Sequence, residues 1–195
     1  MANSTVADLK VSRSAITGAI FWAPAGTALP TDATTALPAA FRNLGHVGDG
    51  GISPSRDVTT DDVTDMNGDR LLVLQTGYSK SYSAPMLAVL NEDLNSAVFG
   101  DANVTVTPAT GSSGRVISVT DTGTVAQQGV LVIELRNGTN GRERRVAAVA
   151  QVTSAEEGDL VGTAVQTFTL TFSVYKDDEG IYERKYVDDG AYSGA

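Results

Sequence analysis

The sequence predicts a mainly β protein: a β-sandwich or partly open barrel, with one amphipathic helix on its flank and a long inter-strand loop. Three observations carry that expectation. Strand-like segments recur along the chain, parted by Gly, Ser, Asn and Asp clusters, as in sandwiches and barrels. In 165–176, Phe168, Leu170, Phe172 and Val174 alternate with Thr167, Thr169, Thr171 and Ser173, so one face is buried and the other wet. Only 85–99 changes to a helical period.

Taken in order, 15–22 is strand-compatible and stops before Pro24. Residues 70–83 form a long strand, with Leu72, Leu74, Tyr78 and Tyr82 expected on one face and Val73, Gln75, Ser79 and Ser81 on the other. Asn67-Gly68 is the turn that launches it. In 85–99, Met86, Leu87, Val89, Leu90, Leu94, Ala97 and Val98 make an apolar stripe opposite Asn91, Glu92, Asp93 and Asn95. Ser83 is the expected cap, Pro85 sits near the first turn and Gly100 supplies the stop. Leu87, Leu90 and Leu94 are the expected core contacts of this helix. Strands follow at 103–107, 115–121, 130–136 and 144–153, and Asn137-Gly138-Thr139-Asn140-Gly141 pairs the last two into a hairpin. Asp177-Asp178-Glu179-Gly180 predicts a second hairpin, joining 165–176 to 181–187.

The whole of 1–195 reads as a single domain with an N-terminal arm (1–14), a long loop (23–69) and a C-terminal tail (188–195). The loop holds Pro24, Pro30, Pro38 and Pro54 yet is not strongly polar, since Leu29, Leu37, Phe41, Leu44, Val47 and Ile52 run through it. A loop of this length is either disordered or functional. The plainer alternative is a mobile excursion with short strands near 44–47 and 58–63.

Composition excludes several functions. With no Cys, the chain has no disulfide framework, thiolate metal site or thiol nucleophile. Its 14 basic and 23 acidic residues leave a net charge of −9, which opposes tight binding to phosphate backbones. No run of residues is long and apolar enough for a membrane-spanning helix. The N-terminus lacks the charged-then-apolar pattern of a secretory signal, which predicts synthesis and assembly in a cytoplasm. His46 is the only histidine and lies in a Gly-rich stretch with no Gly-x-Ser-x-Gly elbow elsewhere. Asp65-Met66-Asn67-Gly68-Asp69 starts like a calcium loop, but Gly68 stands at the fourth position and Thr76 at the twelfth, where an EF-hand needs Gly at six and Glu at twelve. Gly48-Asp49-Gly50-Gly51 has no Walker lysine. These readings predict no enzyme, no cofactor and no metal. Arg142, Arg144 and Arg145 form the one basic knot, beside Glu143, and it reads as a subunit contact or a solvated turn.

A specific likeness remains. Gly18-Ala-Ile-Phe-Trp-Ala-Pro24, then Gly26-Thr-Ala-Leu-Pro-Thr-Asp-Ala33, then Phe41-Arg-Asn-Leu-Gly-His-Val47 and Asp49-Gly50 together resemble the N-terminal part of major tail tube proteins of long-tailed, siphovirus-type bacteriophages. The likeness is sharpest over 15–100 and extends in layout to the C-terminus. The resemblance implies a fold similar to type VI secretion tube proteins. It also implies hexameric rings whose inner sheets join into one barrel, and rings stacked into a hollow tube in the virion tail. Tape-measure, tail terminator and distal tail proteins are the implied partners, and DNA passes through the lumen without tight binding. On this reading Leu29, Leu37, Phe41, Leu44 and Val47 of the loop are the expected inter-ring stacking residues. Thr167, Thr169, Thr171 and Ser173, or the face of Val130, Val132, Glu134 and Arg136, are the expected lumen lining. The alternatives are a type VI-like secretion tube subunit, which the Thr27–Asp32 pattern disfavours, and a monomeric β-sandwich binding or decoration protein.

Overall fold

Alternating side chains build one large sheet. The computed structural model describes residues 11–14 and 18–191; expectations placed on 1–10, 15–17 and 192–195 lie outside the described residues. Its strands are β1 (Arg13–Ser14), β2 (Ile20–Pro24), β3 (Arg42–Asn43), β4 (Ser53–Thr64), β5 (Arg70–Met86), β6 (Val104–Thr107), β7 (Val116–Val119), β8 (Gly129–Asn137), β9 (Gly141–Glu157), β10 (Phe168–Tyr175) and β11 (Arg184–Asp188). The helix α1 spans Glu92–Phe99. The large sheet has the order β3-β2-β8-β9-β10-β5-β4, with β1 also on β8 and β11 also on β9. Its pairings are antiparallel and it does not close into a barrel; β6 and β7 form a small second sheet. The class is mainly β with one helix, as expected.

The main core lies on one face of this sheet. In β10, Phe168, Leu170, Phe172 and Val174 are buried, and Trp22, Tyr82, Ala84, Met86, Leu131 and Ile133 complete that face. Trp22 meets Phe172 with ring centroids 6.0 Å apart. Leu94 and Ala97 of α1 cap this core, and Leu44, Val47 and Ile52 cross it on the way from β3 to β4. A second, smaller core sits on the opposite face, where Ala23, Val130, Val132 and Val146 pack against Phe41, Leu29 and Leu37.

Four expectations are corrected. The helix begins at Glu92, seven residues after Pro85. Pro85 and Met86 belong to β5, opposite Thr169 and Phe168. Asn91 rather than Ser83 caps the helix, its side chain accepting from the backbone N–H groups of Asp93 and Leu94. The amide of Asn95 is buried and donates to the carbonyls of Val89 and Asn91 at 2.9 and 2.8 Å, which holds the preceding segment in a turn. Leu87 and Leu90 therefore precede the helix and are exposed; of the three expected core leucines only Leu94 is buried.

The second correction concerns β10 and β11, which do not form a hairpin. Both pair with β9, β10 through Glu157–Val149 and β11 through Val146–Arg142. The turn at 177–180 is a local excursion within one lane, closed by Asp177, whose carboxylate accepts the N–H groups of Glu179 and Ile181. Third, the second part of the expected long loop is a strand, since β4 pairs with β5 over Ser53–Thr64. Fourth, the faces of β5 switch partway. A bulge between Thr59 and Thr60 pairs Thr59 with Gly77 but Thr60 with Gln75. Tyr78 and Tyr82 therefore share a face with Gln75 and Val73, while Leu72 and Leu74 join Ser79 and Ser81.

Candidate functional site

The loop of 25–41 is held by its own subunit. Arg144, 3% exposed, donates from Nε to Glu134 Oε1 at 2.8 Å, and from its terminal nitrogens to the carbonyls of Asp32 and Thr35 at 2.8 and 2.7 Å. Asp32 shapes the turn that presents those carbonyls: it accepts the Thr35 hydroxyl and the N–H groups of Thr35 and Thr34. The same bonds hold its carboxyl well below the usual range, that from the Thr35 hydroxyl most strongly. The expected stacking residues fall accordingly. Phe41 is buried, Leu29 and Leu37 are half-buried in the second core, Leu44 is fully buried in the main core, and Val47 is half-buried against it.

The lumen candidates also separate. Val130 and Val132 are buried beneath the 25–41 segment, and Glu134 is taken up by Arg144. That part of the face is covered, and Arg136 beyond it is exposed. Thr169, Thr171 and Ser173 lie on the same side of the sheet but beyond the covering segment, and Thr167 precedes β10. Across the rungs they align with Glu156, Ser154 and Gln151 on one side and with Ser83 and Ser81 on the other, continuing to Ser53 and Ser55. Thr153 joins this surface through its hydroxyl, 2.9 Å from that of Ser173. In the rungs that β10 shares with β9 and β5, Glu156 is the one charged residue on this side and no Lys or Arg falls among them; Asp57 and Asp61 follow on the ribbon, and Arg144 and Arg142 lie further along β9.

The feature that sequence reasoning missed is the outer part of β4–β5. The last rung between β5 and β10 is Lys80–Val174. Beyond it 57–79 continues as a two-stranded ribbon, and every residue of β4 and of 70–76 is exposed. Apolar side chains stand on both its faces. Val63, Leu72 and Leu74 share one, Val58, Val73 and Tyr78 the other, and Leu71 is an extra residue at the second bulge. The tip closes through Gly68, at φ +87°, and through Asp65, whose carboxylate accepts the N–H groups of Asn67 and Asp69 at 2.9 and 2.8 Å. The signal was present as four consecutive apolar residues, Leu71–Leu74, which is how a strand covered on both faces reads. Its base is braced on the helix side, where Arg56 lies over Tyr78 and Tyr78 over Tyr182.

A cleft of about 490 Å³ opens on the helix side, with Tyr82 and Arg145 in its lining. Its cation is spoken for: Arg145 Nε donates to Glu143 at 2.6 Å, and Glu183 is close to both Arg145 and Lys80. Burial first, and then the hydrogen bond that the phenol donates to the Glu183 carboxylate, push the Tyr82 phenol well above its ordinary range. Among the described residues no group of three or more acidic or histidine side chains could hold a metal, and His46 is exposed in the segment before β4. Among the described residues no helix is long and apolar enough to cross a membrane.

The surfaces on offer are thus a bare ribbon and a broad hydroxyl-lined face, both suited to contact with other molecules. No curated protein matches the chain. A family model described as phage tail tube protein matches residues 7–189. That is a family of structural proteins that build the virion tail, and the chain belongs to it.

Proposed function

We propose that the chain assembles as hexameric rings stacked into the tube of a long-tailed phage, and that DNA passes through the lumen on ejection into the host. The observation that carries this reading is the β4–β5 ribbon, which leaves apolar side chains on two faces and a 12-residue strand edge without cover. An isolated two-stranded ribbon is marginally stable in water, and an open edge invites pairing. Neighbouring copies supply the cover, and repetition of a head-to-tail contact generates a filament. The hydroxyl-lined strip of β9, β10, β5 and β4 is the proposed lumen wall. With Thr169, Thr171 and Ser173 at its centre and no Lys or Arg on this side in the rungs that β10 shares with β9 and β5, it gives phosphates no ionic purchase there, so DNA slides. Tape-measure, terminator and distal tail proteins occupy the ends and interior of such a tube, and assembly takes place in the bacterial cytoplasm.

Electron microscopy of the purified chain, over a range of concentration and salt, tests the reading. Six-fold rings or hollow tubes are expected. A protein that stays monomeric under every condition refutes it and favours a decoration module instead.

A further inference from the structure

Three arginines lie side by side at one end of the sheet. Arg13 on β1 pairs in register with Arg136 on β8, and Arg136 pairs with Arg142 on β9. Directly opposed residues share a face, so the three guanidinium groups form a row across three strands. All three are exposed, and none has an ion-pair partner among the described residues. Asp188 stands next in the rung, opposite Arg142, and also accepts the N–H of Gly190 at 2.9 Å, so one carboxylate flanks the row of three cations. Like charges directly opposed destabilise a sheet. In a chain of net charge −9, a row of three cations with a single carboxylate at its end calls for a further anionic partner.

The chain itself carries a matching group. Within 61–70 the hairpin tip holds Asp61, Asp62, Asp65 and Asp69 against a single Arg70. Arg70 is taken by Asp62 at 2.8 Å, and Asp65 is occupied in closing the turn. Asp61, on the face of Leu72 and Leu74, and Asp69, in the turn, are exposed and have no ion-pair partner among the described residues. The tip does not reach the row in its own subunit. In the sheet order, β5 is separated from β9, β8 and β1 by about 10 to 19 Å at normal strand spacing, and the ribbon leaves the sheet beyond Lys80. Tip and row are nevertheless at the same end. From the rung Ala150–Val174–Lys80, eight residues toward that end bring β9 to Arg142 and β5 to Leu72. A copy rotated about an axis parallel to the strands presents its row at the height of its neighbour's tip.

We propose that the row Arg13–Arg136–Arg142 receives the acidic tip of the β4–β5 hairpin of a second copy of this chain. The inference rests on the tube reading and names one of its contacts. The carboxylates of Asp61 and Asp69 approach Arg136 and Arg142, while the apolar residues behind the tip are covered by the same neighbour. The contact sets the register and pairing of neighbours rather than supplying most of the affinity.

Charge reversal and cross-linking test it together. Arg136→Glu with Arg142→Glu is expected to lower sedimentable polymer by tenfold or more at low salt, as like charges meet across the contact. Asp61→Lys with Asp69→Lys is expected to do the same. The four substitutions combined in one chain restore assembly. Since the chain has no cysteine, Asp61→Cys with Arg136→Cys gives a clean second measurement: a ladder of disulfide-linked oligomers under oxidation that collapses on reduction. Circular dichroism confirms that each variant is folded. Polymer from the arginine variant at the wild-type level, failure of the combined variant to recover, or absence of the ladder in a chain that polymerises each overturns the docking and leaves the tube reading intact. So does a row variant that assembles normally but alters DNA release, which would assign the arginines to phosphate instead. A wild-type chain that never polymerises overturns both.

Discussion

The strand β5 has two halves with opposite fates. Its C-terminal half, 80–86, runs between β10 and β4 and buries Tyr82, Ala84 and Met86 completely or nearly so. Its N-terminal half, 70–79, has β4 alone for a neighbour and exposes Leu71, Leu72, Val73 and Leu74. Composition does not explain the difference, since the exposed half is the more apolar. What differs is the number of neighbouring layers within one chain. A run that is apolar on both faces is a strand written for two covers, and a single copy provides neither. The inner half therefore reports on folding and, on the function proposed above, the outer half on assembly, and substitutions can separate the two.

The largest effect on folding is expected at the inner end. Phe172, fully buried opposite Tyr82, leaves a large cavity on Phe172→Ala, costing about 4 kcal/mol, measured as a shift in the denaturant midpoint. Arg144→Ala follows, at about 3 kcal/mol, because Glu134 and two loop carbonyls lose a buried partner. Limited proteolysis within 25–41 should accelerate in that variant. For the same reason, deleting 26–41 is expected to uncover Val130, Val132 and Val146 and so damage the fold itself, not merely a contact between rings.

A smaller effect is expected at Tyr82. Its phenol is raised in the folded state by burial and by Glu183, above the ordinary value of about 10 that applies on unfolding. Folding thus favours the protonated phenol. Its contribution is complete below about pH 10 and is lost as the pH climbs above that toward the folded value. The melting temperature of the wild type should fall more steeply across this alkaline range than that of Tyr82→Phe, which itself costs about 1 kcal/mol at neutral pH through the lost hydrogen bonds. Equal slopes would show that the phenol does not carry the dependence.

The smallest effect on monomer stability, about 0.5 kcal/mol or less, is expected for Leu72→Ser with Leu74→Ser, both half-exposed on the ribbon. The same variant should lose sedimentable polymer. If it melted several degrees lower instead, the two halves of β5 would belong to one folding unit and the contrast would fail.

Much of this was legible in the sequence, and the exceptions have physical causes. The alternation of 165–176 gave β10 and its buried face, and the Asn137–Gly141 turn gave the β8–β9 hairpin. The turn at 177–180 was recognised, but its residues look the same whether the chain reverses or merely loops out. Only the length of β9, 17 residues, lets both flanking strands share it. The stripe from Met86 to Val98 fitted a helix because spacings of three and four also accommodate a strand end followed by a turn. Asn91, whose side chain bonds two N–H groups, is where the helix can start. For the loop, apolar residues signalled cover without saying whose: Leu29, Leu37 and Phe41 pack on their own sheet. The arginine row was invisible, because Arg13, Arg136 and Arg142 become neighbours only through two strand registers.

The parting of the ribbon from the sheet at Lys80 has a mechanical consequence. A sheet clamped on both sides is stiff, whereas two strands anchored at one end bend and twist at little cost, and the two bulges between β4 and β5 soften them further. In a tube held together by such tethers, strain from curvature is taken up in the tethers while the subunit cores keep their shape. A long, slender particle could then sway without opening its wall.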